Sequence, residues 1–115
     1  MKPTIAPREP LSQVVFIHDY LELIFQEESF SVYNVVKLVH NEKEFIQGSP
    51  GFSDLLVSLI GQRVVAASRE PEYPLSLAFE RGARLIVLSG ALGARGPEAF
   101  QYAGHNNLIV VEQNA

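Results

Sequence analysis

Hydrophobic and polar residues alternate with a period of two over much of the chain, the pattern of strands buried on one face. Val14-Val15-Phe16-Ile17 is β-branched and aromatic, and His18-Asp19 follows as a turn. Leu21, Leu23 and Phe25 then alternate with Glu22, Ile24 and Gln26, until Glu27-Glu28 breaks the run. Phe30 and Val32 alternate with Ser29, Ser31 and Tyr33, and this strand is expected to run on through Val35, Val36, Leu38 and Val39. Asn41-Glu42-Lys43 reads as the next turn, with Glu44-Phe45-Ile46 returning as a short strand.

The period then changes. Phe52, Leu55, Leu56, Leu59 and Ile60 fall at i, i+3, i+4, i+7 and i+8, which predicts an amphipathic helix over about residues 50–60. Ser49 is the expected N-cap and Pro50 sits in the first turn, where a missing N–H costs nothing. Asp54 lies near the positive end of the helix dipole, and Gly61 is placed to end the helix in a left-handed conformation. A helix this short is not stable alone and must pack on a sheet.

After the helix the first pattern recurs. Arg63-Val64-Val65 resembles Gln13-Val14-Val15, and Leu75-Ser76-Leu77-Ala78-Phe79 repeats the Leu-x-Leu-x-Phe of residues 21–25. Arg81-Gly82 stands where Glu27-Glu28 stood, and Leu85/Val87 where Phe30/Val32 stood. Pro71 and Pro74 make the insertion between the first two strands of this copy an irregular loop. Ser89 to Gly96 reads as a flexible glycine-rich connection, and residues 99–102 and 108–111 as a final hairpin closed by Gly104-His105-Asn106-Asn107. The expected order is β-β-β-β-α-β-β-β-β. The fold class is α+β: two antiparallel β-meanders forming a curved sheet or half-open barrel, packed on one short central helix.

Composition narrows the class. At 115 residues, 47% of them hydrophobic and 19% charged, one domain spanning 1–115 is expected. Pro3, Pro7 and Pro10 make residues 1–11 an extended N-terminal arm. Cysteine is absent, which removes disulfides and thiolate metal sites. The arm has no apolar h-region, and no uncharged stretch is long enough to span a bilayer, so the expected location is the cytoplasm, without membrane contact. The net charge is −4 and the nine basic residues are scattered, which disfavours nucleic acid and favours a basic protein partner.

No arrangement of residues announces catalysis. Gly90, Gly93 and Gly96 match neither a dinucleotide fingerprint nor a P-loop. His18, His40 and His105 are dispersed; His18-Asp19 has no nucleophile to serve, and the other two read as polar turn residues. No cofactor and no metal are expected. The carboxylates fall at turns and solvent faces. If Glu27 and Glu28 lie near the 69–74 loop, they join Glu70 and Glu72 in an acidic rim around Tyr73. With Asp19, these six are the candidate partner-binding residues.

The run Gly61-Gln62-Arg63-Val64-Val65, residues 75–87 (LSLAFERGARLIV) and Arg95-Gly96-Pro97-Glu98-Ala99 resemble a pattern in small uncharacterised bacterial proteins. These are similar to immunity proteins of polymorphic or contact-dependent toxin systems. The resemblance covers about the last two thirds of the chain, and its motifs are hairpins and a helix. It implies a non-catalytic protein that binds and occludes a cognate toxin domain, without indicating site residues. Two other readings compete with it. One is a small-molecule-binding or minor enzymatic domain using a pocket in the curved sheet, near His18 and Tyr20. The other is an accessory domain that homodimerises through its edge strands.

Overall fold

A computed structural model describes residues 5–114, except for the side chain of Asn106. Residues 1–4 of the expected arm lie outside the described residues. The chain is α+β, with ten strands among the described residues. The first half runs β1 (Gln13–Ile17), β2 (Tyr20–Phe25), β3 (Glu28–Val32), β4 (Val36–His40) and β5 (Lys43–Ile46). Helix α1 (Phe52–Ser58) separates it from β6 (Val64–Ser68), β7 (Leu75–Phe79), β8 (Arg84–Val87), a helical turn α2 (Gly90–Gly93), β9 (Glu98–Ala103) and β10 (Ile109–Gln113). No described helix is long and apolar enough to cross a membrane.

The strands form two five-stranded antiparallel sheets, in the orders β1-β2-β3-β9-β10 and β5-β4-β8-β7-β6, and neither closes into a barrel. Advancing every strand of the first order by five positions reproduces the second, read backwards. Each half of the chain therefore gives a three-stranded meander to one sheet and a hairpin to the other. The repeat seen in the sequence is the meander.

The expected single strand over residues 29–39 is two strands in different sheets. The chain crosses between them at Tyr33–Val35, and crosses back between Leu88 and Pro97. The two crossings grip each other. Tyr33 N–H and Asn34 N–H both donate to Ala99 C=O, at 2.9 and 3.1 Å, and Val35 N–H donates to Gly93 C=O at 2.9 Å. Asn34 is 1% exposed, and its amide N–H groups reach Leu88 C=O (2.7 Å) and Asn114 Oδ1 (2.8 Å). Asn114 returns an N–H to Asn34 Oδ1 (3.0 Å) and another to Gly96 C=O (2.7 Å). A buried amide needs such partners for every polar atom. The glycine-rich segment is thus a fixed part of the crossing, with Gly93 packed against Leu88 too closely for a Cβ.

The inward phases of both sheets meet in one core. Leu21, Leu23 and Phe25 of β2 and Leu75, Leu77 and Phe79 of β7 are all buried, as their shared spacing predicts. Phe30 stands at the aromatic centre, with ring centroids 6.1 Å from Phe25, 6.1 Å from Phe100 and 5.1 Å from Tyr102. Phe52 and Leu56 of the helix, with Leu59 at its C-cap, join the same cluster. The helix is shorter than the sequence suggests, and Ile60, beyond its end, is exposed. Its N-cap is Gly51, not Ser49, at φ +89°, because a Cβ there would stand 2.9 Å from the Phe45 ring. Ser49 instead closes the preceding turn, its hydroxyl donating to Ile46 C=O.

The described part of the arm, residues 5–11, is built into the fold. Ile5, Pro7 and Leu11 are buried, and Leu11 exchanges backbone bonds with Gln62 C=O (2.9 Å) and Gly61 N–H (2.7 Å). Arg63 donates from its guanidinium to Arg8 C=O at 2.7 Å.

Candidate interaction surface

The outward phases of the two sheets differ in charge. On the second sheet Ile86 and Ser76 are already buried, beside a Lys37–Glu44 ion pair at 3.6 Å and an Arg84 guanidinium 3.3 Å from the Ser76 hydroxyl. The first sheet presents Tyr20, Glu22 and Ile24 from β2 and Ser29 and Ser31 from β3, all half-buried. Strand pairing extends these rows through Val15 and Ile17 on one side and Gln101 and Val111 on the other. Among the described residues of these rows, Glu22 alone is charged.

One end of this face is aromatic and acidic. Tyr33 follows the last outward serine of β3 and packs on Tyr20, ring centroids 5.3 Å apart. The Tyr20 hydroxyl points at Glu22 Oε1, 3.5 Å away. Desolvation, with the Glu22 carboxylate adding to it, raises the Tyr20 pKa above that of a free phenol. Next to the pair lies a cleft of about 610 Å³ lined by His18, Asp19, Tyr33, Arg95, Pro97 and Glu98.

The predicted residues divide between this end and others. Asp19 is in the cleft wall. Its carboxylate lies 3.5 Å from His18 Nε2, with both side chains almost fully exposed. Glu27 lies at the far end of the same sheet, paired with His105 Nδ1 at 2.9 Å. Glu70, Glu72 and Tyr73 belong to the β6–β7 loop, where Glu70 N–H donates to Tyr73 C=O and Ser89 Oγ donates to Glu72 C=O. Glu70 shares a cleft with Glu112, Gln113 and Asn114, the other end of the β9–β10 hairpin from His105. The acidic rim uniting Glu27 and Glu28 with Tyr73 is therefore not assembled. The two groups belong to different sheets and sit at opposite ends of β10.

Glu28 is also no surface residue. It is 3% exposed and opens β3, facing inward opposite Phe25. Arg8 N–H donates to one carboxylate oxygen (3.1 Å), and the Tyr102 hydroxyl donates to the other (2.5 Å). Burial, reinforced by that hydrogen bond, pushes the Tyr102 pKa up to about 12. The pair is a closed structural contact rather than a partner-facing charge.

Sequence reasoning missed Tyr33, Glu22, Glu98 and Arg95 as members of the surface. The signal was present for two of them. Glu22 occupies the outward phase of β2 and Tyr33 continues that of β3 just past its end, and reading that phase together gives a tyrosine pair beside a carboxylate. Arg95 and Glu98 arrive only through the crossing. Among the described residues, no group of three metal-ligating side chains converges. No protein-family model matches the chain, and no curated protein or solved structure matches it.

Proposed function

We propose that this is a non-catalytic binding protein, an immunity protein that occludes a cognate bacterial toxin domain in the cytoplasm. The observation that carries the reading is the outward face of the first sheet. It is a largely uncharged surface ending in the Tyr20–Tyr33 pair and bordered by Asp19, Glu22 and Glu98. Tyrosine beside charge, around a face without dense charge, is a composition that favours protein partners. The three carboxylates against one Arg95 suit a basic surface, such as a cleft that otherwise holds a phosphate-bearing substrate.

In this reading the tyrosines fill the centre of the contact and the carboxylates steer its approach. Tyr33→Ala is then expected to weaken binding by about 2 kcal/mol or more, through faster dissociation. Glu22→Lys slows association and reduces its salt dependence. The test is co-expression with the neighbouring open reading frame, followed by co-purification and a growth assay. A neighbour that is harmless without this protein and does not co-purify with it overturns the reading.

A further inference from the structure

The internal duplication gives the molecule two equivalent sheet edges, β1 in the first sheet and β6 in the second, and only one is blunted. Strand β6 carries a register shift between Val64 and Ala66, a bulge that twists an edge away from a new partner. The remaining edges are protected too. Strand β5 bears Lys43 and Glu44, and β10 carries Glu112, held by Arg69, next to a register shift of its own. Strand β1 has none of these devices. Gln-Val-Val-Phe-Ile pairs with β2 in unbroken register over all five residues and contains no charge and no proline. Among the described residues no strand lies on its other side. Its Phe16, on the inward phase opposite Leu21, remains 49% exposed.

We propose that β1 is a self-pairing edge, at which two copies of the chain join antiparallel into a continuous ten-stranded sheet. The occupant follows from the strand's own sequence. The net charge of −4 on each chain opposes association through a repulsion that salt screens, but β1 itself is uncharged, so a second copy of the strand brings no like charges into the contact, and its sequence is complementary to itself. Centring the two-fold axis on Val15 sets Val15 against its own symmetry mate, Val14 against Phe16 of the second copy, and Gln13 against Ile17. This covers Phe16 with an aliphatic cross-strand partner, a favourable pairing. The nearest acid, Asp19, then falls beyond the paired residues, opposite Leu11 and not opposite another carboxylate. A five-residue edge buries less than the roughly 1,200 Å² of a standard interface, so the dimer is weak and forms with rising concentration. The backbone edge is used and the outward face is left free, so this inference does not depend on the proposed partner.

The absence of cysteine supplies the test. Val15→Cys places a unique thiol at the two-fold axis, and Val111→Cys places one on β10 at the opposite edge. Mild oxidation at concentrations up to the millimolar range is expected to yield a covalent dimer from Val15→Cys, several times more than from Val111→Cys. Sedimentation of the unmodified chain over the same range is expected to show monomer passing to dimer, with Val15→Lys remaining monomeric while keeping the circular dichroism of the parent. Equal cross-linking at the two positions, preferential cross-linking at Val111, or an unmodified chain that stays monomeric at the highest concentration overturns the proposal. Binding of the neighbour's product with no dimer would sink this inference alone.

Discussion

Glu28 and Tyr102 show what burial does to two ordinary polar side chains. The carboxylate receives hydrogen bonds from Arg8 N–H and the Tyr102 hydroxyl, and the phenol, buried and donating to that carboxylate, is harder to ionise than in water. The linkage has a definite sign. Between pH 10, where the unfolded tyrosine loses its proton, and about 12, where the folded one does, the folded state binds more protons. The stability this pair contributes is therefore fully present below pH 10 and is lost as pH rises through that window. Tyr102→Phe is expected to flatten this alkaline fall in a pH series of urea melts. At neutral pH it costs about 1–3 kcal/mol, because Glu28 loses a donor. A neighbouring glycine is tied to the same contact. Gly104 has an unremarkable φ of −127°, yet a Cβ there would run into the Tyr102 hydroxyl. Gly104→Ala is expected to lower the melting temperature for steric reasons. Phe30→Ala, at the centre of the aromatic cluster, is expected to cost about 3–5 kcal/mol, measurable by the same melts.

At the scale of elements, helix α1 illustrates how a local rule yields to a neighbour. Ser49-Pro50 is a good N-terminal signal, but the chain enters the helix through Gly51 because the Phe45 ring fills the space a side chain would need. Gly51→Ala is expected to be more destabilising than Gly61→Ala. Both positions have φ above +80°, at +89° and +96°, and only the first also lacks room. Thermal melts of the two variants check the order. The strands differ from one another in a comparable way. Strands β1 and β6 descend from one repeated pattern, and a single bulge separates a protected edge from an open one.

The whole molecule is held by the way its halves exchange hairpins. The Asn34–Asn114 amide pair ties the first crossing to the end of the last strand, eighty positions away along the chain. Asn34→Ala leaves Leu88 C=O and the Asn114 amide without that partner in a buried site. It is expected to cost about 1–3 kcal/mol, read as a lower denaturant midpoint. Asn34→Asp is expected to be worse, since it places a carboxylate oxygen where the amide NH2 now donates to two oxygens.

Alternation along the strands, and the Leu-x-Leu-x-Phe motif shared by residues 21–25 and 75–79, determined the antiparallel meanders and their inward residues, and the i, i+3, i+4 spacing of Phe52, Leu55 and Leu56 determined the place of the helix. Those features depend on which face each residue turns, and a period of two in strands or 3.6 in a helix specifies that without reference to distant parts of the chain. The tertiary structure decided the rest. The break at Tyr33–Val35 was hidden because the apolar pattern continues across it, and what turns the chain is Asn34 finding partners at Leu88 and Asn114. Glu28 reads as a turn carboxylate and is buried, because the arm and Tyr102 supply its hydrogen bonds. The acidic rim dissolved for the same reason: proximity of loops follows from which sheet each hairpin joins. That choice is made by long-range pairing, and no local period encodes it.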